Sequence, residues 1–192
     1  AVSFLQNTLT AFLQAHPEVE LEIYCDLSRE LHRLLRAEEL DIIVATMPTP
    51  RMPYLSRAWI EQPIWAAAEG FAPQMDRPVP IGAHLEGCDY RARMIGALEQ
   101  QGRRWRIVYT SPGISGLQSA VASGLCVTAL TQATMLPGMR QLTEDDGFPV
   151  LDPLRIGLFY KHPRLTASGL QLVSDLVASV ESVGSGIRVL PN

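Results

Sequence analysis

The stretch Ser111-Pro112-Gly113-Ile114-Ser115 has the residue types that most directly suggest binding chemistry in this sequence. Serine before proline is a strong helix-start signal, because a proline at the first helical position gives up an N–H that has no partner anyway. The expected helix runs over about 112–123, capped by Ser111, with Gly113 leaving the backbone open to close approach. A helix N-terminus presents unpaired N–H groups and partial positive charge, so Ser111, Gly113 and Ile114 form a candidate anion site. A second candidate is His84 with Gly87-Cys88, between a strand end and a helix start. A thiol there can have a lowered pKa, but no base or resolving thiol lies near Cys88 in sequence, and an inert thiol is the expectation. Ser28, after Asp26-Leu27, offers a hydroxyl at another helix start and serves equally well as a plain cap. Thr46 and Met47 follow an apolar strand, where Met47 could equally pack inward.

Other chemistry is excluded. His16, His32, His84 and His162 share no metal-ligand spacing, so no metal and no structural zinc is expected. Cys25, Cys88 and Cys126 are odd in number and contain no C-x-x-C pair, which argues against a disulfide framework and fits a reducing compartment. Gly113-Ile114-Ser115-Gly116 lacks the spacing of a nucleophile elbow, and there is no phosphate-binding G-x-x-x-x-G-K-[ST] loop. The acidic pairs Glu38-Glu39 and Asp145-Asp146 read as solvated charge at turns or helix ends, so enzymatic function has no support and no cofactor is expected. With a net charge of −4 and a densest basic run of only Arg103-Arg104-Trp105-Arg106, read as a solvated helix end entering a strand, the chain alone is not expected to bind DNA well.

The elements that position these residues follow from periodicity. Apolar content of 47% against 19% charged residues excludes disorder, and 192 residues suffice for one large domain or two small ones. No apolar run approaches the ~18 residues of a membrane helix. No signal peptide is visible, and a start at Ala1 suggests a fragment or a processed product. Helices are expected at 2–15, from Ser28 with Leu31, Leu34 and Leu35 buried, at 89–101, at 112–123 and at 166–182. The stripe of the last helix is Leu170, Val173, Val177 and Val180. Strands are expected at 18–25, 40–45, 54–60, 63–68, 79–83, 104–110, 125–130 and 154–160, while 137–153 is turn-rich and the tail beyond Val183 frays. The opening α-β-α-β order predicts a parallel sheet with right-handed crossovers. The Gly/Pro-rich stretch 70–80 marks the clearest boundary, after which the pattern restarts. The expectation is therefore an α/β fold of two Rossmann-like lobes, 1–69 with 160–192 and 70–159, although the last strand and helix fit either lobe.

The run 12–45, FLQAHPEVELEIYCDLSRELHRLLRAEELDIIVA, resembles the start of the effector-binding domain of LysR-type transcriptional regulators. Gly87-Cys88-Asp89-Tyr90-Arg91 and Ala120-Val121-Ala122-Ser123-Gly124-Leu125-Cys126-Val127 resemble further stretches of that family. The resemblance implies a type 2 periplasmic-binding-protein-like fold with a small effector, a carboxylate being the candidate class, held between the lobes. Carried over by position, the effector-binding residues are Ser28, Thr46, Met47, Ser111, Gly113 and Ile114, with His84 and Cys88 as weaker additions and Arg91 either a charge for an acidic effector or an exposed helical residue. It also implies a cytoplasmic homodimer or homotetramer, with no membrane partner, that meets DNA only through an N-terminal winged helix-turn-helix outside this chain. The first strand of the first lobe would lie upstream as well. Two departures stand out: Glu38 occupies a helix-end position usually held by Gly, and Cys126 replaces the second Gly of the G-L-G-V pattern. The spacing of Cys88 and Cys126 does not predict a redox switch. A solute-binding protein for transport is the main alternative, and an enzyme on the same fold comes third.

Overall fold

The computed structural model describes residues 5–182 and the backbone of 187–189. Contacts divide the chain into two compact units, 1–61 with 154–192, and 62–153. The divide precedes the expected boundaries because the Gly/Pro-rich stretch 70–80 is an internal connection of the second unit, leading from one of its strands to the next.

The first unit begins with α1 (Leu5–Ala15), which packs against α5 (Ala167–Ser182) through Leu5 and Phe12 on one side and Leu172, Val173, Leu176 and Val180 on the other. The buried stripe of α5 is thus rotated from the expected one: Leu170 and Val177 are only half-buried. α2 (Ser28–Ala37) buries Leu31, Leu34 and Leu35 as its periodicity requires, and Leu31 and Leu35 pack with Ile43, Ala45, Met47 and Phe159. β1 (Ile42–Thr46), β2 (Leu55–Glu61), β8 (Leu154–Tyr160) and β9 (Ile187–Val189) form one sheet in the order β1-β8-β2-β9. Every pairing in it is antiparallel, which overturns the expected parallel sheet. The cause is β8, which returns from the second unit and inserts between β1 and β2.

Residues 18–25 form no strand: position 18 lies in a turn and 19–25 have no regular structure. Their alternation is strand-like, yet no described residue offers them a ladder partner, and Ile23 and Tyr24 remain exposed. β9 also corrects the expected fraying of the tail, while 183–186 and 190–192 lie outside the described residues.

The second unit is closer to expectation. β3 (Ile64–Ala68) pairs antiparallel with β6 (Thr128–Leu130) and β7 (Met139–Leu142). β7 was not expected in that turn-rich stretch. β4 (Val79–Ala83) and β5 (Trp105–Thr110) pair in parallel, joined by the crossover helix α3 (Asp89–Gln100), and β5 leads into α4 (Ile114–Ala122). Trp65, Ile81, Met94, Leu98, Val127 and Phe148 form the core of the unit. Arg103 belongs to this packing as well: its guanidinium lies 4.5 Å from the centre of the Phe148 ring and donates to the Gly147 carbonyl, so the basic run is not simply solvated.

Candidate functional site

In the first unit, the start of α2 and the end of β1 are tied together. Leu27, not Ser28, is the helix cap, and it makes no side-chain cap bond. The Ser28 hydroxyl instead accepts the backbone N–H of Thr46 at 3.0 Å. His32, one helical turn further along the same face, places Nε2 3.0 Å from the Thr46 carbonyl oxygen. A carbonyl can only accept, so His32 carries its proton on Nε2. The imidazole is buried and meets the Phe159 ring edge to face at 4.7 Å. Thr46 is thus fixed through both of its backbone groups. Met47 packs inward with Leu31, Leu35 and Phe159 and is 7% exposed, the inward placement that the sequence allowed for it. His32 was passed over in the sequence because it was tested only for metal spacing. The signal that identifies it is its i+4 spacing from Ser28.

In the second unit, parallel pairing brings Ala83 and Thr110, the last residues of β4 and β5, into register. The two following loops are therefore neighbours at the carboxyl edge of the strands, where ligands of open α/β units bind. Ser111 N–H donates to the Ala83 carbonyl at 3.1 Å. His84 is half-buried, and burial pulls its pKa below the ordinary histidine value, against the backbone of Ser111 and Pro112, which favours the charged form. Burial thus favours the neutral imidazole. Arg91 Nη1 donates to the His84 carbonyl at 3.3 Å, so this arginine is half-buried and braces α3 against the end of β4.

The helix after β5 starts later than expected. Gly113 is the cap of α4, and Pro112 lies before the helix. Ser111 Oγ donates to the Gly113 carbonyl at 2.9 Å and accepts Gly113 N–H at 3.2 Å, closing the loop on itself. These local bonds compete with helical ones and delay the helix. Space in front of Gly113 is open to 4 Å around a would-be Cβ, whereas Ile114 turns toward the core beside Val121 and Leu130. Gly116 is a residue the sequence reading missed: a Cβ there would come within 2.5 Å of Ser111 Oγ. Its signal is a glycine inside a helix with no turn to make.

Cys88 precedes α3 without a side-chain cap bond, and burial raises its thiol pKa. A raised pKa fits the expected inert thiol and opposes the activation a helix start can give. Cys126 is fully buried and its thiol is pushed up to about 11, chiefly by burial. Its Sγ lies 2.6 Å from where a Cβ on residue 82 would stand, so the sulfur fits because that position is Gly82. Among the described residues no cluster of His, Cys, Asp and Glu could hold a metal ion, and no helix is long and apolar enough to cross a membrane.

The architecture is that of a two-unit, mixed α/β ligand-binding domain, and solved structures share it. The Synechocystis PCC6803 CcmR regulatory domain in complex with 2-PG aligns with a TM-score of 0.70 and 16% identity, covering 94% of this chain and 92% of its own. The BenM effector-binding domain with its effector benzoate aligns with a TM-score of 0.64 and 14% identity, covering 95% and 89%. The family model of the LysR substrate-binding domain matches residues 1–181, and the chain belongs to that family. The fold is accordingly the type 2 periplasmic-binding-like one of LysR regulatory domains. In sequence, the chain is 29% identical over 177 residues to the HTH-type transcriptional regulator DgdR of Burkholderia cepacia, covering 87% of this chain but 56% of that relative. The chain thus spans about half the length of this curated relative.

Proposed function

We propose that this chain is the ligand-sensing and oligomerisation domain of a LysR-type transcriptional regulator. Its ligand is a small effector of the carboxylate class, for which His84, Ser111, Gly113 and the first turn of α4 are the candidate contacts in the second unit; Ser28 and Thr46 are the candidate contacts in the first. Cys88 stands at the margin of this set as an unreactive thiol. The observation that carries the reading is the pair of adjoining loops after β4 and β5, tied by the Ser111 N–H on the Ala83 carbonyl and closed by the Ser111–Gly113 bonds. Ser111 spends its donor on Gly113, so its role is to fix the loop that aims the α4 amides at the ligand. Family membership and relatives described as transcriptional regulators support the regulatory role.

Several features follow from the same reading. The whole protein is a cytoplasmic homodimer or homotetramer that meets DNA through an N-terminal winged helix-turn-helix upstream of residue 1. A strand from the same upstream segment lies between β1 and residues 18–25. The strand-like alternation of 18–25 without a ladder partner and the pairing of β1 with β8 alone support this, among the described residues.

The test is a thermal-shift screen against small carboxylates, aromatic acids and amino-acid metabolites. A ligand at 100 times its Kd adds about 2.7 kcal/mol. For a domain of this size that is a rise of about 5–10 °C. Ser111→Ala is expected to weaken the hit by about tenfold, the loss of roughly 1.4 kcal/mol, with little change in unliganded Tm. A stable variant that binds as tightly as the parent refutes the assignment of Ser111.

A further inference from the structure

A second recess lies in the first unit at the opposite end of β1 from Thr46, since Ile42 is paired with Tyr160 and Thr46 with Ile156. Its volume is about 630 Å³, and it is bordered by Glu38, Tyr54, Tyr160, Lys161, His162 and Arg164, among others. Three independent features mark it. Two cations, Lys161 and Arg164, face it against a single carboxylate, Glu38, so the site is net positive. The two non-glycine residues with positive φ among the described residues are Glu38 and Tyr54, at 66° each, and both line it. At Glu38 this is the left-handed end of α2, whose N–H caps the Leu34 and Leu35 carbonyls, so the strain that no helix end accounts for is that at Tyr54. The Tyr160 and His162 rings lie tilted at 6.2 Å, and Lys161 Nζ stands 5.1 Å from the centre of the Tyr54 ring, giving flat aromatic walls beside the charge.

The decisive contact is the Glu38 carboxylate itself. One oxygen accepts Lys161 Nζ at 3.0 Å and the other is paired with Arg164, so the two cations are already spaced to share one carboxylate. Lys161 also donates to the Arg36 carbonyl at 3.0 Å and its side chain is only 15% exposed, which holds that ammonium in place. The Glu38 side chain is 53% exposed and can swing into water. We infer that this recess is a second ligand site, for a small monocarboxylate with a flat apolar body, and that Glu38 is the internal carboxylate such a ligand displaces. The site is separate from the proposed effector contacts and does not depend on them.

The test is calorimetric titration of the chain and its variants with phenylacetate, using phenylacetamide as the uncharged control. Saturable binding with a Kd on the order of 1 mM is expected for so small a ligand, with none measurable for the amide. Glu38→Gln removes the competitor and is expected to tighten binding about tenfold. Arg164→Met weakens it by about the same factor through loss of a charge-assisted bond, and Lys161→Met does likewise where melting shows the variant folded. Ser111→Ala leaves this binding unchanged, which separates the site from the effector contacts. The inference is overturned by no saturable binding to Glu38→Gln at 20-fold the expected Kd. It is overturned equally by equal binding of acid and amide, or by binding that Ser111→Ala abolishes and Arg164→Met spares.

Discussion

Gly116→Ala puts the packing around Ser111 to a quantitative test. The added Cβ would stand 2.5 Å from Ser111 Oγ, 3.1 Å from Ser111 Cβ and 3.2 Å from the Tyr109 hydroxyl. Tyr109 can yield at its tip, but Ser111 is held by its two bonds to Gly113 and by its N–H on the Ala83 carbonyl. Overpacking of this kind costs about 1–3 kcal/mol. Alanine in a helix interior gains about 0.8–1.0 kcal/mol over glycine, which offsets part of that. The net loss is about 1 kcal/mol, or a fall in Tm of about 2–4 °C, measured by calorimetry or circular dichroism. In a Ser111→Ala background the closest contact is gone, so the same substitution should cost about 0.5–1.5 kcal/mol less, the coupling expected of touching residues. A strictly additive double variant, or a Tm that rises in the single variant, would refute the claim that Ser111 is fixed against Gly116.

Other expectations concern different parts of the chain. His32→Ala removes a buried hydrogen bond to Thr46 and an aromatic contact with Phe159, and a loss of about 2–4 kcal/mol is expected in denaturant unfolding. Alkylation of the native protein near neutral pH should label the exposed Cys25 first and leave Cys126 unmodified, because Cys126 is fully buried with its thiol at about 11. Mass spectrometry finding Cys126 labelled before unfolding would contradict the packing. The hydrogen bonds from Arg140, then the Thr143 N–H, hold the Asp146 carboxyl below its usual range. Its contribution to stability is present above the unfolded carboxylate pKa and is lost as pH falls through the lowered folded value. Asp146→Asn should therefore flatten the acid limb of a stability–pH curve; an unchanged limb would remove that role.

Much of the fold was legible because periodicity and chain order report local structure. The apolar spacing of Leu31, Leu34 and Leu35, the run entering β1 and the alternation of α3 with β4 and β5 all follow from which faces must leave water. What failed depended on distant partners. Residues 18–25 have a strand's pattern but no ladder, and Met139-Arg140-Gln141-Leu142 becomes β7 because β3 lies beside it. The direction of β8 could not be read from its own residues, since pairing sense is set by where the chain returns from. The candidate residues Ser28 and Thr46 were visible singly, yet the bond between them, and the bond from His32, exist only once α2 lies along β1. At Glu38 the glycine-favouring helix end was legible and takes φ 66°, but its carboxylate, expected to be solvated, is paired with Lys161 and Arg164, which only the fold brings to it.

The seating of the Cys126 sulfur beside Gly82 has a consequence for the order in which this sequence can change. Neither position is free alone. Any side chain at 82 collides with a thiol at 126, while a smaller residue at 126 first opens a void that a methyl on 82 could then fill. Substitutions here have a permitted direction: 126 must shrink before 82 can grow. A variant library that randomises the two sites together should recover small-with-large combinations and reject large-with-large ones. Single-site scanning would record only that Gly82 is intolerant, and would miss that its intolerance belongs to its neighbour.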